Sequence, residues 1–218
     1  EEILPADRVI WQMSLSPDGA KMALITTEDN ELIFREGWSR VEILDIASGN
    51  ITTVTDQAWR DNHPSPYGWL EDITWSDDSQ ALGFSIGYDG FASNIWVAEN
   101  TADTWSLQLI ERPGIVNYSG SLQWRGKDRT LCFNGESMGR VQVYGIDAVK
   151  NGGQGKSNVL AGGDVVVGSF SFDARGSKLV ANIETTTTAN DLYLIKSETN
   201  RAQLTHANPQ VDTWILPQ

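Results

Sequence analysis

The sequence has few of the residues on which most metal centres and many catalytic sites depend. Its 218 residues include one cysteine, Cys132, and two histidines, His63 and His206, which are far apart in the chain. A single cysteine excludes an internal disulfide and is compatible with both the cytoplasm and the periplasm. A zinc site needs three or four convergent ligands, so we expect no metal and no cofactor.

Basic residues and long apolar runs are also scarce. Sixteen lysines and arginines stand against 29 aspartates and glutamates, which gives a formal net charge of -13. Nucleic acids and anionic membrane surfaces are bound through clustered basic residues, so the composition argues against both as partners. No apolar run approaches the roughly 20 residues that a membrane-spanning helix requires. The proportions of 40% hydrophobic and 21% charged residues are those of a globular chain.

One pattern recurs four times along the chain. In each copy, apolar and polar residues alternate on both sides of a short polar turn, which reads Ser-Pro-Asp-Gly at 16–19 in the first copy. Period-two alternation indicates half-buried strands rather than helices, and these turn residues suit a tight hairpin. Two further strands follow each hairpin. The equivalent apolar residues before the four turns are Leu15, Trp75, Trp124 and Phe172, spaced 48 to 60 residues apart.

Four antiparallel strands in each unit of roughly 40–50 residues match the strand number and the repeat length of a β-propeller blade. We therefore predict an all-β fold: a β-propeller of four-stranded antiparallel blades, with about four blades in this chain. A β-sandwich or a lipocalin-like barrel does not predict this repeat. No internal domain boundary is visible, so 1–218 is predicted to be a single propeller domain or fragment. The predicted blades are 8–56, 67–112, 117–162 and 165–208, followed by an exit segment at 209–218.

The turn at 16–19 and its degenerate copies resemble the repeats of TolB-like and WD-like propellers and of prolyl oligopeptidase-family serine peptidases. Residues 15–19, with 39–41 and 44–49, are similar to a blade of acylaminoacyl-peptidase-like or dipeptidyl-peptidase-like enzymes. Residues 203–209 are similar to the exit from the last blade of those enzymes. The resemblance implies an α/β-hydrolase domain with a Ser/Asp/His triad beyond the propeller, and no triad residue within this chain.

By the same resemblance, the chain is expected to be a noncatalytic propeller portion that caps the hydrolase domain and gates the access of peptide substrates. Its partners would be that hydrolase domain and the peptide substrates of the parent enzyme. Family propellers usually have seven or eight blades, so three arrangements stay open: part of a larger propeller, a closed four-bladed ring, or a pair formed with a second copy. The alternative functions are a stand-alone TolB-like interaction module and, third, a carbohydrate-active propeller. Since the sequence begins with Glu1 rather than methionine, we expect a piece of a longer protein.

Two short motifs imitate functional sites. Residues 135–139 satisfy the G-x-S-x-G pattern around Ser137, but a nucleophile elbow needs a strand-to-helix turn, and a second strand is predicted to follow. His206 follows Ser137 in the order that a triad requires, yet no orienting carboxylate is evident for it. Residues 155–157 read Gly-Lys-Ser, like the end of a phosphate-binding loop, but they lack the earlier glycine and a following helix. We therefore predict no catalytic and no cofactor-binding residue.

An inserted segment at 58–70 carries the remaining candidates for binding. It lengthens the first repeat and is rich in aromatic and polar residues. Loops on rigid scaffolds concentrate binding residues, so this segment is the predicted contact surface, with an ordinary long connection between blades as the alternative. The candidate contact residues are Trp59, Arg60, His63, Tyr67 and Trp69.

Overall fold

The fold is built almost entirely from β-strands. The computed structural model describes residues 8–28, 37–54, 56–61, 64, 68–101, 104–147 and 157–214. Within these ranges there are sixteen strands, one four-residue helix, and two short 3-10 turns at Gly126–Asp128 and Pro209–Thr213. The predicted all-β class is confirmed.

The strands are grouped in consecutive fours, and each four forms an antiparallel meander, which we call blades 1 to 4 in chain order. Blade 1 is β1 (Val9–Leu15), β2 (Lys21–Thr27), β3 (Arg40–Asp45) and β4 (Ile51–Thr53), followed by helix α1 (Gln57–Arg60). Blade 2 is β5 (Gly68–Trp75), β6 (Ala81–Tyr88), β7 (Phe91–Thr101) and β8 (Thr104–Ile110). Blade 3 is β9 (Asn117–Arg125), β10 (Thr130–Ser137), β11 (Arg140–Asp147) and β12 (Ser157–Ala161). Blade 4 is β13 (Val166–Phe172), β14 (Leu179–Thr185), β15 (Thr188–Ile195) and β16 (Arg201–Gln203).

Side chains of the repeated turn hold the first hairpin of a blade. In blade 1, Ser16 Oγ donates to Asp18 Oδ1 at 2.6 Å and accepts from the backbone N–H of Lys21 at 2.8 Å. Ser76 and Asp78 make the equivalent hydrogen bonds in blade 2. Serine and aspartate recur in the turn because their side chains hydrogen-bond to backbone groups that the hairpin leaves without strand partners.

In the turn of blade 4, one aspartate accepts the hydrogen bonds that a serine and an aspartate share in blades 1 and 2. Asp173 Oδ1 accepts from the backbone N–H of Lys178 at 2.8 Å and from that of Ser177 at 2.6 Å. The Ser177 hydroxyl donates to the other carboxylate oxygen. These hydrogen bonds, the one from Lys178 first, hold the pKa of Asp173 below its ordinary value.

The contacts divide the chain into two units, of which the first contains blades 1 and 2. Their facing sides share one apolar core, and Trp75 Nε1 of blade 2 donates to the carbonyl oxygen of Ser14 in blade 1 at 2.9 Å. The core residues from blade 1 and its exit are Ala23, Ile25, Val41, Ile43 and Val54, and those from blade 2 include Trp75, Leu82, Phe84 and Trp96.

The second unit contains blades 3 and 4, which also share an apolar core and, unlike blades 1 and 2, are joined in one sheet by a parallel pairing of β11 with β13 at Val141 and Val166. Asn134 Nδ2 of blade 3 donates to the carbonyl oxygens of Val167 and Gly168 in blade 4, at 3.2 and 3.3 Å. The core residues are Cys132 and Val143 of blade 3, Ala161 and Val165, and Val167, Phe170, Leu179, Ala181 and Ile183 of blade 4. In both units, therefore, one apolar face of the first blade packs against one apolar face of the second.

The hairpin between β10 and β11 turns on Met138 and Gly139. Ser137 pairs with Arg140 across the turn, and the two central residues have φ values of 51° and 73°. Two positive φ values in a two-residue loop are typical of a type I′ turn, which favours Asn-Gly. Met138 is 78% exposed, so its strained backbone is not compensated by burial of the side chain.

Met138→Asn is therefore expected to raise the free energy of unfolding by about 0.5–1 kcal/mol, since asparagine adopts the left-handed conformation at lower cost. Urea unfolding of the variant measures this gain. Met138→Ala, which removes the same exposed side chain but keeps the strained backbone, is the control. An asparagine variant no more stable than the alanine variant would contradict the explanation.

Candidate functional site

The base of the inserted segment is fixed by the guanidinium of Arg60, at the end of α1. Arg60 Nη1 donates to the carbonyl oxygen of Gly37 at 2.6 Å and Nη2 donates to that of Ser39 at 3.1 Å. Arg60 Nε donates to the carboxylate of Asp56, and the guanidinium carbon lies 4.2 Å from the centre of the Trp59 ring. One side chain thus ties the segment to the start of β3.

The tryptophans of the inserted segment are buried. Trp59 is 4% exposed and Trp69 is 8% exposed. The ring of Trp69 covers Gly87 on the neighbouring strand, where an added Cβ would lie 2.7 Å from a ring atom. Both rings therefore pack within the first unit and leave little surface for a partner. His63 and Tyr67 lie outside the described residues, so a binding role for this segment stays a prediction.

The G-x-S-x-G motif lies in a hairpin. Ser137 is the last residue of β10, and β11 begins at Arg140, so the polypeptide passes from strand to strand. A nucleophile elbow instead needs a strand followed by a helix, whose N-terminus supplies part of the oxyanion hole. Cys132 is fully buried, and this burial raises the pKa of its thiol to about 12, which disfavours the thiolate form that a cysteine nucleophile needs.

The Gly-Lys-Ser motif at 155–157 is likewise followed by a strand. Gly155 and Lys156 lie outside the described residues, and Ser157 is the first residue of β12. A phosphate-binding loop presents the N-terminus of a helix to the anion, and this position presents none.

Asp191 in β15 holds the segment that leaves the last strand. Its Oδ1 accepts from the backbone N–H of Ala207 at 2.8 Å and from Thr205 Oγ1 at 2.7 Å. Its Oδ2 accepts from Gln203 Nε2 at 3.1 Å. These hydrogen bonds, with the one from Ala207 first, hold the pKa of Asp191 below its ordinary value. The charged carboxylate therefore acts as a clamp on the exit segment.

A pocket of about 290 Å³ opens beside this clamp and is lined by Asp191, Tyr193, His206 and Trp214 among others. His206 contributes to the lowered pKa of Asp191 through its charge. No orienting carboxylate for His206 is evident in the sequence, and in the structure Asp191 lines the same pocket as this histidine. Asp191 is 8% exposed, and this burial was not readable from the sequence because it depends on the exit segment folding back over the carboxylate. Because three neighbours occupy this carboxylate, it serves the exit segment rather than a histidine base.

Asp191→Asn is expected to make the protein less stable at neutral pH, by an amount that shrinks on acidification. Because the folded-state pKa is lowered, the stabilisation is present above the ordinary value of 3.8 and is lost as the pH falls through the folded-state pKa. Thermal unfolding of both proteins between about pH 7 and pH 3 measures the difference. Asp164→Asn, at an exposed ion pair with Arg140, is the control. A difference that does not change with pH would contradict the charge-based explanation.

A second cavity, of about 310 Å³, lies in blade 1 and is lined by charged pairs. Arg8 Nε donates to Glu42 Oε2 at 2.8 Å, and Arg40 Nη2 lies 2.6 Å from Glu28 Oε1. Glycoside chemistry uses two carboxyl groups with separate acid and base roles. Here each carboxylate is engaged by an arginine, which does not favour the carbohydrate-active alternative.

In the part of the chain that the structure describes, no group of three or more histidine, cysteine, aspartate or glutamate side chains is placed to hold a metal ion. The same described ranges contain no helix with the length and apolar character needed to cross a membrane.

Comparison with known proteins gives structural matches only. No protein-family model matches the sequence, and no curated protein matches it. TolB from Acinetobacter baumannii is 15% identical with a TM-score of 0.61, over 93% of this chain and 45% of that one. A prolyl endopeptidase is 12% identical with a TM-score of 0.63, over 91% of this chain and 30% of that one. An oligogalacturonate lyase in complex with manganese is 14% identical with a TM-score of 0.65, over 88% and 51%.

The chain thus spans about half or less of the length of the solved structures that it matches. Likeness at this level of identity shows the fold. The fold is that of a β-propeller, with about four four-stranded blades in this chain, as the repeat pattern predicted.

Proposed function

We propose that this chain is the noncatalytic β-propeller portion of a serine peptidase of the prolyl oligopeptidase family. The observation that carries the proposal is the match of its blades to a prolyl endopeptidase over 91% of this chain and only 30% of that one. That proportion leaves room for a catalytic domain in the parent protein. The resemblance of the repeated turns to peptidase propellers points in the same direction.

In the proposed arrangement the propeller caps an α/β-hydrolase domain and excludes folded proteins by size. Gating of this kind needs rigid walls, and the packing supports such a role: one apolar core joins blades 1 and 2, another joins blades 3 and 4, and side-chain hydrogen bonds close the first hairpin of blades 1 and 2. The inserted segment at 58–70 would contribute docking contacts to the hydrolase domain or to a substrate. The bond chemistry would belong entirely to the other domain.

The first test reads the gene beyond the codon for Gln218. We expect roughly 250 further residues, with G-x-S-x-G between a strand and a helix, and then an aspartate and a histidine. The whole product should react with a serine-directed fluorophosphonate and should cleave short peptides but not folded proteins. Ser137→Ala in the whole protein should leave this activity unchanged. A reading frame that stops within a few codons, or loss of activity in Ser137→Ala, would overturn the proposal.

The second candidate function is a stand-alone TolB-like module that binds other proteins. It is favoured by the match to TolB, which covers 93% of this chain at a TM-score of 0.61. The same experiment separates the two functions: a short reading frame and a product that binds a defined partner, without fluorophosphonate labelling, would support this one.

A further inference from the structure

Blades 1 and 2 leave a groove between them at the end that carries the repeated turns. Its volume is about 240 Å³. We call it the polar groove, because most of the side chains along it are polar although it borders the apolar core of the first unit. The lining includes Lys21, Asp45, Asn50 and Thr52 of blade 1 and Asn100 and Trp105 of blade 2.

Strand register places these polar side chains on the two blade sides that face each other. Asp45 lies two residues beyond the core residue Ile43 in β3, and Lys21 pairs with Asp45 from β2. In β7, Asn100 lies two residues beyond the core residue Ala98. Because successive residues of a strand point to opposite sides, residues two apart lie on the same side. The apolar core therefore continues into polar side chains, which line a groove instead of closing it.

The two asparagines of the polar groove have fixed backbones and unengaged side chains. The carbonyl oxygen of Asn50 accepts from the backbone N–H of Asp45 at 2.8 Å. The backbone N–H of Asn100 donates to the carbonyl oxygen of Gln80 at 3.0 Å. In the part of the chain that the structure describes, no hydrogen bond engages either side-chain amide or the hydroxyl of Thr52. Polar groups that are held in place and open to a new partner suit a polar ligand.

The charged residues of the polar groove compensate one another. Asp45 Oδ1 accepts from the hydroxyl of Ser48 at 2.7 Å and from its backbone N–H at 2.8 Å. These hydrogen bonds, the one from the hydroxyl first, and the charge of Lys21 hold the pKa of Asp45 below its ordinary value. The carboxylate is therefore charged at neutral pH and has a cation beside it. One negative and one positive group favour a ligand with no net charge, and the net charge of -13 also disfavours an anion.

Trp105 gives the polar groove an aromatic wall. It pairs with Asn100 across β7 and β8, so the indole and the amide belong to neighbouring positions on one side of blade 2. The indole packs against the core of the first unit and meets the ring of Trp75 edge to face, with centroids 6.0 Å apart. Since Trp75 is 5% exposed, it gives Trp105 a rigid support. An aromatic ring next to amides suits a ligand with an apolar face and a polar rim.

The corresponding groove of the second unit has a different lining. A pocket of about the same volume, 240 Å³, lies beside the repeated turn of blade 4. Leu160 of blade 3 and Phe172, Leu179 and Ile195 of blade 4 contribute large apolar side chains to it, together with charged residues such as Lys196. No asparagine is among the described residues that line it. The packing of two blades does not, therefore, by itself place a pair of amides in such a groove.

We propose that the polar groove binds one uncharged hexopyranose ring of a saccharide, through the amides of Asn50 and Asn100 and the indole of Trp105. A sugar hydroxyl both donates and accepts, and a carboxamide offers N–H donors and a carbonyl acceptor in one plane. The C–H face of the sugar packs on the indole. Sites for drug-sized ligands have volumes of about 300–1,000 Å³, so a groove of about 240 Å³ suits one ring rather than a long chain.

The polar groove binds the sugar without cleaving it. Asp45 is the one carboxylate among the described residues of the lining, and Ser48 already engages its Oδ1. Glycoside hydrolysis uses two carboxyl groups that flank the scissile bond. The lining therefore supports recognition of a saccharide and no bond chemistry on it.

A peptide is the other ligand that amides could bind. Extended peptides dock on a sheet edge through main-chain hydrogen bonds and place alternate side chains in pockets. In the polar groove the unengaged amides instead come from two blades and line one small volume. This arrangement favours the sugar, and short peptides serve as the competing probe. The inference does not rest on the proposed peptidase function, since the residues that carry it all lie in blades 1 and 2.

The test is an NMR titration of the isotope-labelled 218-residue chain with the methyl glycosides of glucose, galactose and mannose. At least one of them should shift the side-chain amide signals of Asn50 and Asn100 and the indole signal of Trp105. The dissociation constant should be in the millimolar range, because a ligand with few non-hydrogen atoms gains little binding energy. The anionic methyl glucuronide should bind less tightly than the neutral glycoside.

Substitutions in the polar groove make the test specific. Asn50→Leu and Asn100→Leu keep the size of the side chain and remove the amide, so each should weaken binding at least tenfold. Asn158→Leu is the matched control, since Asn158 is an exposed asparagine of β12 outside the polar groove, and it should bind as the wild type does. Trp105→Phe should retain weakened binding, whereas Trp105→Leu should abolish it. Unchanged signals from the rest of the chain show that each variant is folded.

The proposal fails on any of three results. The first is that no neutral glycoside, at up to about 50 mM, shifts the signals of the polar groove. The second is that both asparagine variants bind like the wild type, or that Asn158→Leu loses as much affinity as they do. The third is that blocked dipeptides or methyl glucuronide shift these signals at lower concentration than every neutral glycoside, which would assign the polar groove to a peptide or to an anion. None of these results depends on peptidase activity, so this inference and the proposed function can fail separately.

Discussion

Gly135→Ala is expected to lower the free energy of unfolding by about 2–3 kcal/mol, since overpacking a buried site typically costs about 1–3 kcal/mol. A Cβ at this position would lie 2.5 Å from Val116 Cγ1 and 2.7 Å from Tyr144 Cδ2. Neither neighbour moves away easily, because Val116 and Tyr144 are 6% and 7% exposed. The Tyr144 ring also stacks on that of Phe133 at 5.8 Å. Urea unfolding measures the loss.

Gly168→Ala is the matched control for this experiment. It also lies in a strand of the second unit, but the heavy atom nearest to an added Cβ is Asn182 Cγ, at 4.0 Å. We expect a change within about 0.5 kcal/mol, as for most surface substitutions. If both variants lose the same stability, the contact with Val116 and Tyr144 is not the cause. The result also bears on the G-x-S-x-G motif, whose first glycine is explained by packing rather than by catalysis.

The fold was predictable because the side chains of the repeated turns hydrogen-bond within their own hairpins. Ser16 and Asp18 bond the hairpin of which they are part, so the local sequence alone indicates that hairpin. Strand alternation then follows from the apolar positions on either side. The propeller class came from the spacing of the repeats, and it needed no knowledge of which side chains meet.

The surroundings of the candidate binding residues were not predictable, because they depend on register between strands. Trp69 is buried since it lies opposite Gly87, and a shift of one residue would turn the ring to the other side of the sheet. Similarly, Asp191 meets Ala207 only because the exit segment folds back along β15. Aromatic composition indicated a contact surface at 58–70, whereas the pairing of strands places Trp59 and Trp69 within the first unit.

The second large effect is expected at Arg60. Arg60→Ala removes the donors to the carbonyl oxygens of Gly37 and Ser39 and the ion pair with Asp56. Hydrogen bonds to charged groups contribute about 1.5–3 kcal/mol each, and the side chain is partly exposed, so we expect a total loss of about 2–3 kcal/mol. Arg60→Lys should recover less than half of it, because an ammonium cannot reproduce the planar fork that reaches two carbonyls. Thermal unfolding of the wild type, Arg60→Ala and Arg60→Lys measures the order of their stabilities.

Arg40→Ala provides the contrast that makes this result specific. Its ion pair with Glu28 joins side chains that are 43% and 63% exposed, so its loss should cost no more than about 1 kcal/mol. The two arginines differ in what they hold: Arg40 meets one exposed carboxylate, whereas Arg60 connects α1 to the backbone before β3. If Arg60→Lys were as stable as the wild type, the positive charge alone would explain the effect. If lysine fails and Arg40→Ala is nearly neutral, Arg60 is the residue that fixes the base of the inserted segment, and the predicted contact surface depends on it.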